Sequence, residues 1–130
     1  MRTRRDAGFT LVELMVVIVI LGGLIALVGP NIWNAIFRSN VQLAESQMNN
    51  FAMSIERYKM DNKKLPQALE DLTQTNDRNP EPYIKSIPKD PWGNTYEYRA
   101  NGNKDFTIRS NGDDGQPDTG DDIVWPKKEE

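Results

Sequence analysis

Cysteine and histidine are both missing from these 130 residues. Without cysteine there is no disulfide staple and no thiol nucleophile, and without either residue the usual zinc ligand sets cannot form. The commonest general base is gone as well. Basic charge is not in excess: 16 Lys and Arg stand against 19 Asp and Glu, a net charge of −3. Its one basic cluster, Arg2, Arg4 and Arg5, lies at the extreme N-terminus, so no nucleic-acid partner is expected. No enzyme is expected either: there is no His or Cys, and no paired acids stand outside one Asp-rich loop. The length allows one small domain and an appendage. A small exported domain without disulfides has a thin core and needs support from a metal or from neighbours.

The mean hydropathy of −0.65 hides a division. Most of the large aliphatic residues come before Phe37, and the remainder is rich in Asp, Asn, Lys and Pro. A helix over residues 9–28 is roughly 30 Å long, the thickness of a bilayer's hydrocarbon. Basic residues before it and none until Arg38 after it place the N-terminus in the cytoplasm and the remainder outside it. A secretory signal would need a small-x-small cleavage site here. The run ends instead in "ALVGPN", and the helical pattern continues beyond it.

Glu13 interrupts the apolar run, and two readings of it are open. "TLVE" has the form of a capping box, with Thr10 and Glu13 closing the helix start. Alternatively, a carboxylate at membrane depth costs about 2.5 kcal/mol or more and calls for a cation. No Lys or Arg lies within the span. A cut between Gly8 and Phe9 would create an α-amino group at the helix end, and Glu13 would then pair with that amine on a neighbouring copy. The chain's own amine, about four residues back on the same helix, is a poorer partner.

"GFTLVELMVVIVILGGLIALVGP" resembles the leader junction of type IV pilins and type II secretion pseudopilins. That resemblance implies removal of residues 1–8 by a prepilin peptidase, N-methylation of Phe9, and an assembly role for Phe9 and Glu13. It also implies an assembly role for Pro30, since the segment between Gly22-Gly23 and Gly29-Pro30 can lose helicity when a subunit of that family enters a fibre. The plainer reading is that glycine permits close helix packing in lipid and Pro30 marks the water interface.

Beyond Pro30, the spacing of Ile32, Ile36, Ala44, Met48, Phe51, Ile55 and Tyr58 predicts an amphipathic helix over residues 30–62. With residues 9–29 it would form one helix of roughly 80 Å. A helix of that length needs partners along it, either in a membrane-anchored stalk or in a filament core. Residues 63–130 read as a small globular part. "KKLPQALEDL" is a turn and a short helix with Leu69 and Leu72 inward. "DPWGN" is a turn with Trp92 packed beneath it. "TYEYR" and "DFTIRS" form a β-hairpin with Tyr96, Tyr98, Phe106 and Ile108 toward the helix. The expected class is α+β, a long N-terminal helix packed on a small antiparallel sheet.

"SNGDDGQPDTGDDIVW" carries Asp113, Asp114, Asp118, Asp121 and Asp122, with only Arg109 close in sequence to offset them. It reads either as a solvated loop of turn-forming residues or as a cation site. Hard oxygen ligands at this density suit Ca²⁺, although the EF-hand spacing does not fit.

"YIKSIPKDPWGNTYEY" resembles the major pseudopilins of type II secretion, the general secretion pathway protein G family. Their matching loop binds calcium. The resemblance implies Asp114, Asp121 and Asp122 as side-chain ligands, main-chain oxygens from Asn111 and Gln116, and the Thr119 hydroxyl. Asp113 and Asp118 are left as outer candidates. It further implies a homopolymer, a periplasmic pseudopilus that supports export of folded proteins. Minor pseudopilins, an inner-membrane platform and an assembly ATPase would be its partners. The anchor would be a single pass of the bacterial inner membrane with the C-terminal part periplasmic. A type IV pilin for adhesion, motility or DNA uptake is the alternative, and the absence of a C-terminal Cys pair argues against it. A monomeric membrane-anchored calcium-binding module is another.

Overall fold

The computed structural model describes residues 8–127, so the basic cluster Arg2, Arg4 and Arg5 and most of the expected leader lie outside the described residues. One α-helix, α1, runs over Leu11–Asn62. A 3-10 helix over Leu69–Thr73 and three strands follow: β1 (Glu97–Asn101), β2 (Asp105–Ser110) and β3 (Ile123–Trp125). The chain divides into two compact units, one ending at Phe37 and one beginning at Arg38.

In the first unit, every residue from Leu11 to Phe37 is exposed. The apolar stretch is long and hydrophobic enough to cross a membrane. Lipid covers such a surface without burial in protein. Pro30 lies inside α1. Its missing N–H leaves the Ala26 carbonyl without the usual helical donor, yet the helix continues through it. The Gly22-Gly23 and Gly29-Pro30 breakers therefore do not end the helix in the single chain.

The second unit carries the core. Ala44, Met48, Phe51, Ala52 and Ile55 are the buried residues of α1, one face at steps of three and four. Ile32 and Ile36, expected on the same stripe, are exposed. Leu65, Leu69 and Leu72 close one flank of the core, and Tyr96, Phe106 and Ile108 close the other. Ile55 and Ile108 are fully buried, a gain of about 1.5–3 kcal/mol for each side chain. Phe51 meets Tyr96 edge-on at 5.1 Å, and Phe106 stacks on Trp125 at 5.1 Å. α1 ends where Lys63 turns to a φ of 60° and donates its N–H to the Lys59 carbonyl at 2.9 Å, a left-handed stop in which a non-glycine residue occupies the usual glycine position.

The sheet has the order β1-β2-β3, all antiparallel. Tyr98 pairs with Ile108, and Ile108 with Trp125. Phe106, Ile108 and Ser110 alternate inward along β2. The hairpin was legible, but β1 begins two residues later than "TYEYR" suggests, and β3 adds a strand to it.

The "DPWGN" turn is built around a buried acid. Asp90 is 4% exposed. Its Oδ1 accepts the Trp92 and Asn94 amides at 3.1 and 2.7 Å, and its Oδ2 accepts the Ser110 hydroxyl at 2.6 Å. Gly93, at a φ of 91°, lets its own N–H return to the Asp90 carbonyl at 2.9 Å. Trp92 is half-buried beside the turn.

Candidate functional site

Two regions hold the residues that composition singled out. The first is the start of α1. The Thr10 N–H donates to Glu13 Oε2 at 2.8 Å, and the Glu13 N–H donates to Thr10 Oγ1 at 3.3 Å. This is a reciprocal capping box, and it satisfies two of the helix's otherwise unpaired amides. Phe9 is 84% exposed just before it, and Glu13 is exposed. Among the described residues no ion pair forms at Glu13. Gly8 stands in open space. The capping reading and the pairing reading are compatible, because both residues of the box lie beyond the expected cut.

The second region is the acidic loop after β2. Its entrance is fixed by the Asp90 turn: Asn94 Nδ2 donates to the Gly112 carbonyl at 3.1 Å. Gly112 has a φ of 62°, and a Cβ there would meet Asp121 Oδ2 and lie 2.5 Å from the Asp121 carbonyl oxygen. Only glycine fits, so the two ends of the loop touch at this point.

The loop then sorts its carboxylates. Asp121 Oδ2 accepts the Asp114 N–H at 3.1 Å, and Asp114 Oδ1 accepts the Gln116 N–H at 2.8 Å. The Thr119 hydroxyl sits among four oxygens: Asp121 Oδ1 at 2.6 Å, the Gln116 carbonyl at 3.1 Å, and Asp114 Oδ1 and Asp122 Oδ1 at 3.3 Å each. A hydroxyl carries one proton and donates it once. At least three oxygens therefore face it with no proton between them. The set is made of mixed oxygens, carboxylate, carbonyl and hydroxyl, the kind that hard divalent cations take. No group of three His, Cys, Asp or Glu side chains stands close enough for a metal by acidic side chains alone among the described residues. The convergence depends on the carbonyl and the hydroxyl as well.

Most of the expected residues thus come together. Asp114, Gln116, Thr119, Asp121 and Asp122 converge. Asn111 is placed by its side chain: Nδ2 donates to Glu97 Oε1 at 3.1 Å, while Oδ1 is buried without a hydrogen-bond partner among the described residues. Asp118 pairs instead with Arg109, its Oδ1 2.8 Å from Nη1. Asp113 is exposed. Glu97, Asp90 and Asn94 were not singled out from sequence. The D-P-W-G-N turn signal was present for the last two, but their partners lie 18 to 20 residues away.

The Asn111 amide and the Arg109 guanidinium hold the Glu97 carboxyl below its ordinary 4.5. The Thr119 hydroxyl and the Asp114 amide hold Asp121 below 3.8. A depressed folded value gives stability that is complete above the unfolded pKa and is lost as pH falls through the folded one. Without divalent cations, the thermal midpoint is expected to hold above about pH 5 and to decline below about pH 4. Glu97→Gln should flatten the decline. A wild-type midpoint that rose on acidification would contradict the assignment.

Residues 31–125 match the family described as "Type II secretion system (T2SS), protein G". Residues 3–28 match the "Prokaryotic N-terminal methylation motif". The type II secretion system core protein G of Pseudomonas aeruginosa is 41% identical over 127 aligned positions, covering 89% of each chain. That of Vibrio cholerae is 40% identical over 136 aligned positions, covering 94% of this chain and 92% of the relative. The crystal structure of the major pseudopilin from the type 2 secretion system of enterohaemorrhagic Escherichia coli superposes with a TM-score of 0.60 at 31% identity, over 74% of this chain and 94% of that one.

Proposed function

The chain belongs to the type II secretion system protein G family and is a membrane-anchored pseudopilus subunit, and we propose that cleavage after Gly8 arms it for polymerisation. In this reading the chain enters the inner membrane in a single pass, N-terminus in the cytoplasm and the unit from Arg38 in the periplasm. A prepilin peptidase removes residues 1–8, and the new terminus at Phe9 is N-methylated. The mature amine then pairs with Glu13 of a second copy. Repetition of that contact yields a helical homopolymer that supports export of folded proteins. Minor pseudopilins, the membrane platform and the assembly ATPase are its partners. The role is structural and involves no catalysis by this chain.

The observation that carries the reading is Glu13 itself. Its Oε2 takes the Thr10 amide, but a hydrogen bond does not neutralise a carboxylate held at membrane depth, where the cost is about 2.5 kcal/mol or more. An amine from another copy supplies the missing charge. The N-terminal mass of the full chain, purified from a host that has the processing peptidase, tests the first step. The expected species begins at methylated Phe9. Retention of residues 1–8 in that host would overturn the proposal.

Calcium belongs to the same proposal. Asp114, Asp121 and Asp122, the Asn111 and Gln116 carbonyls and the Thr119 hydroxyl would hold it. The bound ion supplies positive charge among oxygens that otherwise repel. The single proton at Thr119, shared among four oxygens, supports that fit. The chain's own residues do the rest: Gly112 and Asp121 close the loop, and Asn94 ties it to the Asp90 turn.

A further inference from the structure

We infer that Arg109, gripped between Glu97 and Asp118, is the positioning residue of the calcium loop, setting Asp122 toward Thr119 before any cation arrives. The inference rests on the calcium reading above. Arg109 lies on β2 and not in the loop, and it is the cross-strand partner of Glu97. Its side chain is 18% exposed. Nη2 donates to Glu97 Oε2 at 2.8 Å, and Nη1 donates to Asp118 Oδ1 at 2.8 Å. Asp122 Oδ2 lies 3.7 Å from the same Nη1. Glu97 is itself fixed from its other oxygen by Asn111.

Asp118 passes the constraint on. Its backbone has a φ of 67°, and its N–H donates to Asp122 Oδ2 at 2.8 Å. One oxygen of Asp122 is therefore held by the Asp118 amide beside Arg109. That leaves Oδ1 toward Thr119 at 3.3 Å. Four of the five loop acids are thereby divided: Asp118 answers Arg109, while Asp114, Asp121 and Asp122 gather around the hydroxyl.

Field and geometry predict opposite signs for the loss of Arg109. As a point charge it opposes a divalent cation nearby, so its removal would tighten binding. As a strut it orients a ligand, and loss of such an outer partner weakens metal affinity by about 10–100-fold. Arg109 sits between two acids, so its charge is already answered, and the geometric effect should dominate. Lysine keeps the charge but not the planar fork that spans Glu97 and Asp118.

The test is a calorimetric calcium titration of the metal-stripped full chain in detergent micelles, at a temperature where circular dichroism shows every variant folded. Arg109→Gln and Arg109→Lys are each expected to raise the calcium Kd about tenfold. Asp118→Asn should raise it too, and the rise should persist at high salt, which screens the field and leaves the geometry. Asp118 has a side chain 87% exposed, and asparagine accepts its left-handed backbone, so this variant decides the matter if the Arg109 variants do not fold. A purely structural role would lower the calcium-free thermal midpoint and leave the Kd of the folded protein alone. A tighter or unchanged Kd in Arg109→Gln, a wild-type Kd in Arg109→Lys, or a rise in Asp118→Asn that vanishes with salt overturns the inference. A wild-type chain that binds no calcium removes the calcium reading first, and the inference with it.

Discussion

Glu13→Gln is expected to leave the protein in the membrane and to abolish fibre formation. The substitution separates the capping role seen in the structure from the pairing role proposed for the same side chain. Glutamine closes a capping box as well as glutamate does, so the bonds with Thr10 survive and the helix still starts at Leu11. The apolar surface of the first unit is unchanged, and so is its affinity for lipid. What disappears is the charge proposed to answer the amine of a second copy. A loss of about 2.5 kcal/mol at each subunit contact weakens that contact roughly fiftyfold or more, and the penalty recurs at every step of a polymer. Fractionation should recover the variant with the membrane, while sheared-fibre preparations and cross-linking ladders should be empty of it. Fibres at wild-type yield would show that the carboxylate serves the helix start alone.

Removing calcium from the full chain is expected to lower the thermal midpoint of the second unit by about 10 °C or more. At a calcium concentration 100 times Kd, mass action contributes about 2.7 kcal/mol. A domain of this size shifts by about 4–8 °C for each kcal/mol. Exported calcium modules bind at about 10⁻⁴–10⁻³ M, so calcium at tens of millimolar and a chelator bracket the effect. Asp121→Ala should melt at the chelated wild-type temperature or below, and calcium should not move it, because Asp121 contributes Oδ1 to the convergence and Oδ2 to the Asp114 amide. Magnesium, smaller and demanding near-octahedral geometry, should restore less. A wild-type midpoint indifferent to chelator, together with a calcium response retained in Asp121→Ala, would remove the site.

Much of this was legible in the order of residues, for local reasons. The spacing of Ala44, Met48, Phe51 and Ile55 reports a buried helical face, and that face is buried. Ile32 and Ile36 obey the same spacing but are exposed: periodicity says which side chains share a face, not whether anything covers it. The hairpin followed from two alternating runs around Gly102, which takes the positive φ of 73° that such a turn needs. β3 escaped notice because Ile123–Trp125 is three residues long, too short for alternation to register. The loop's acids were visible as a cluster, and their division was not. It depends on Arg109 facing Glu97 across the sheet, a pairing set by strand register. The buried Asp90 was hidden likewise, because its hydroxyl partner Ser110 lies on β2.

The most direct measurement is the structure of the assembled fibre at a resolution that places the mature N-terminus. The account predicts the Phe9 amine of one copy within about 4 Å of the Glu13 carboxylate of another. A fibre in which that amine pairs within its own chain, or in which Glu13 meets no amine at all, would contradict it.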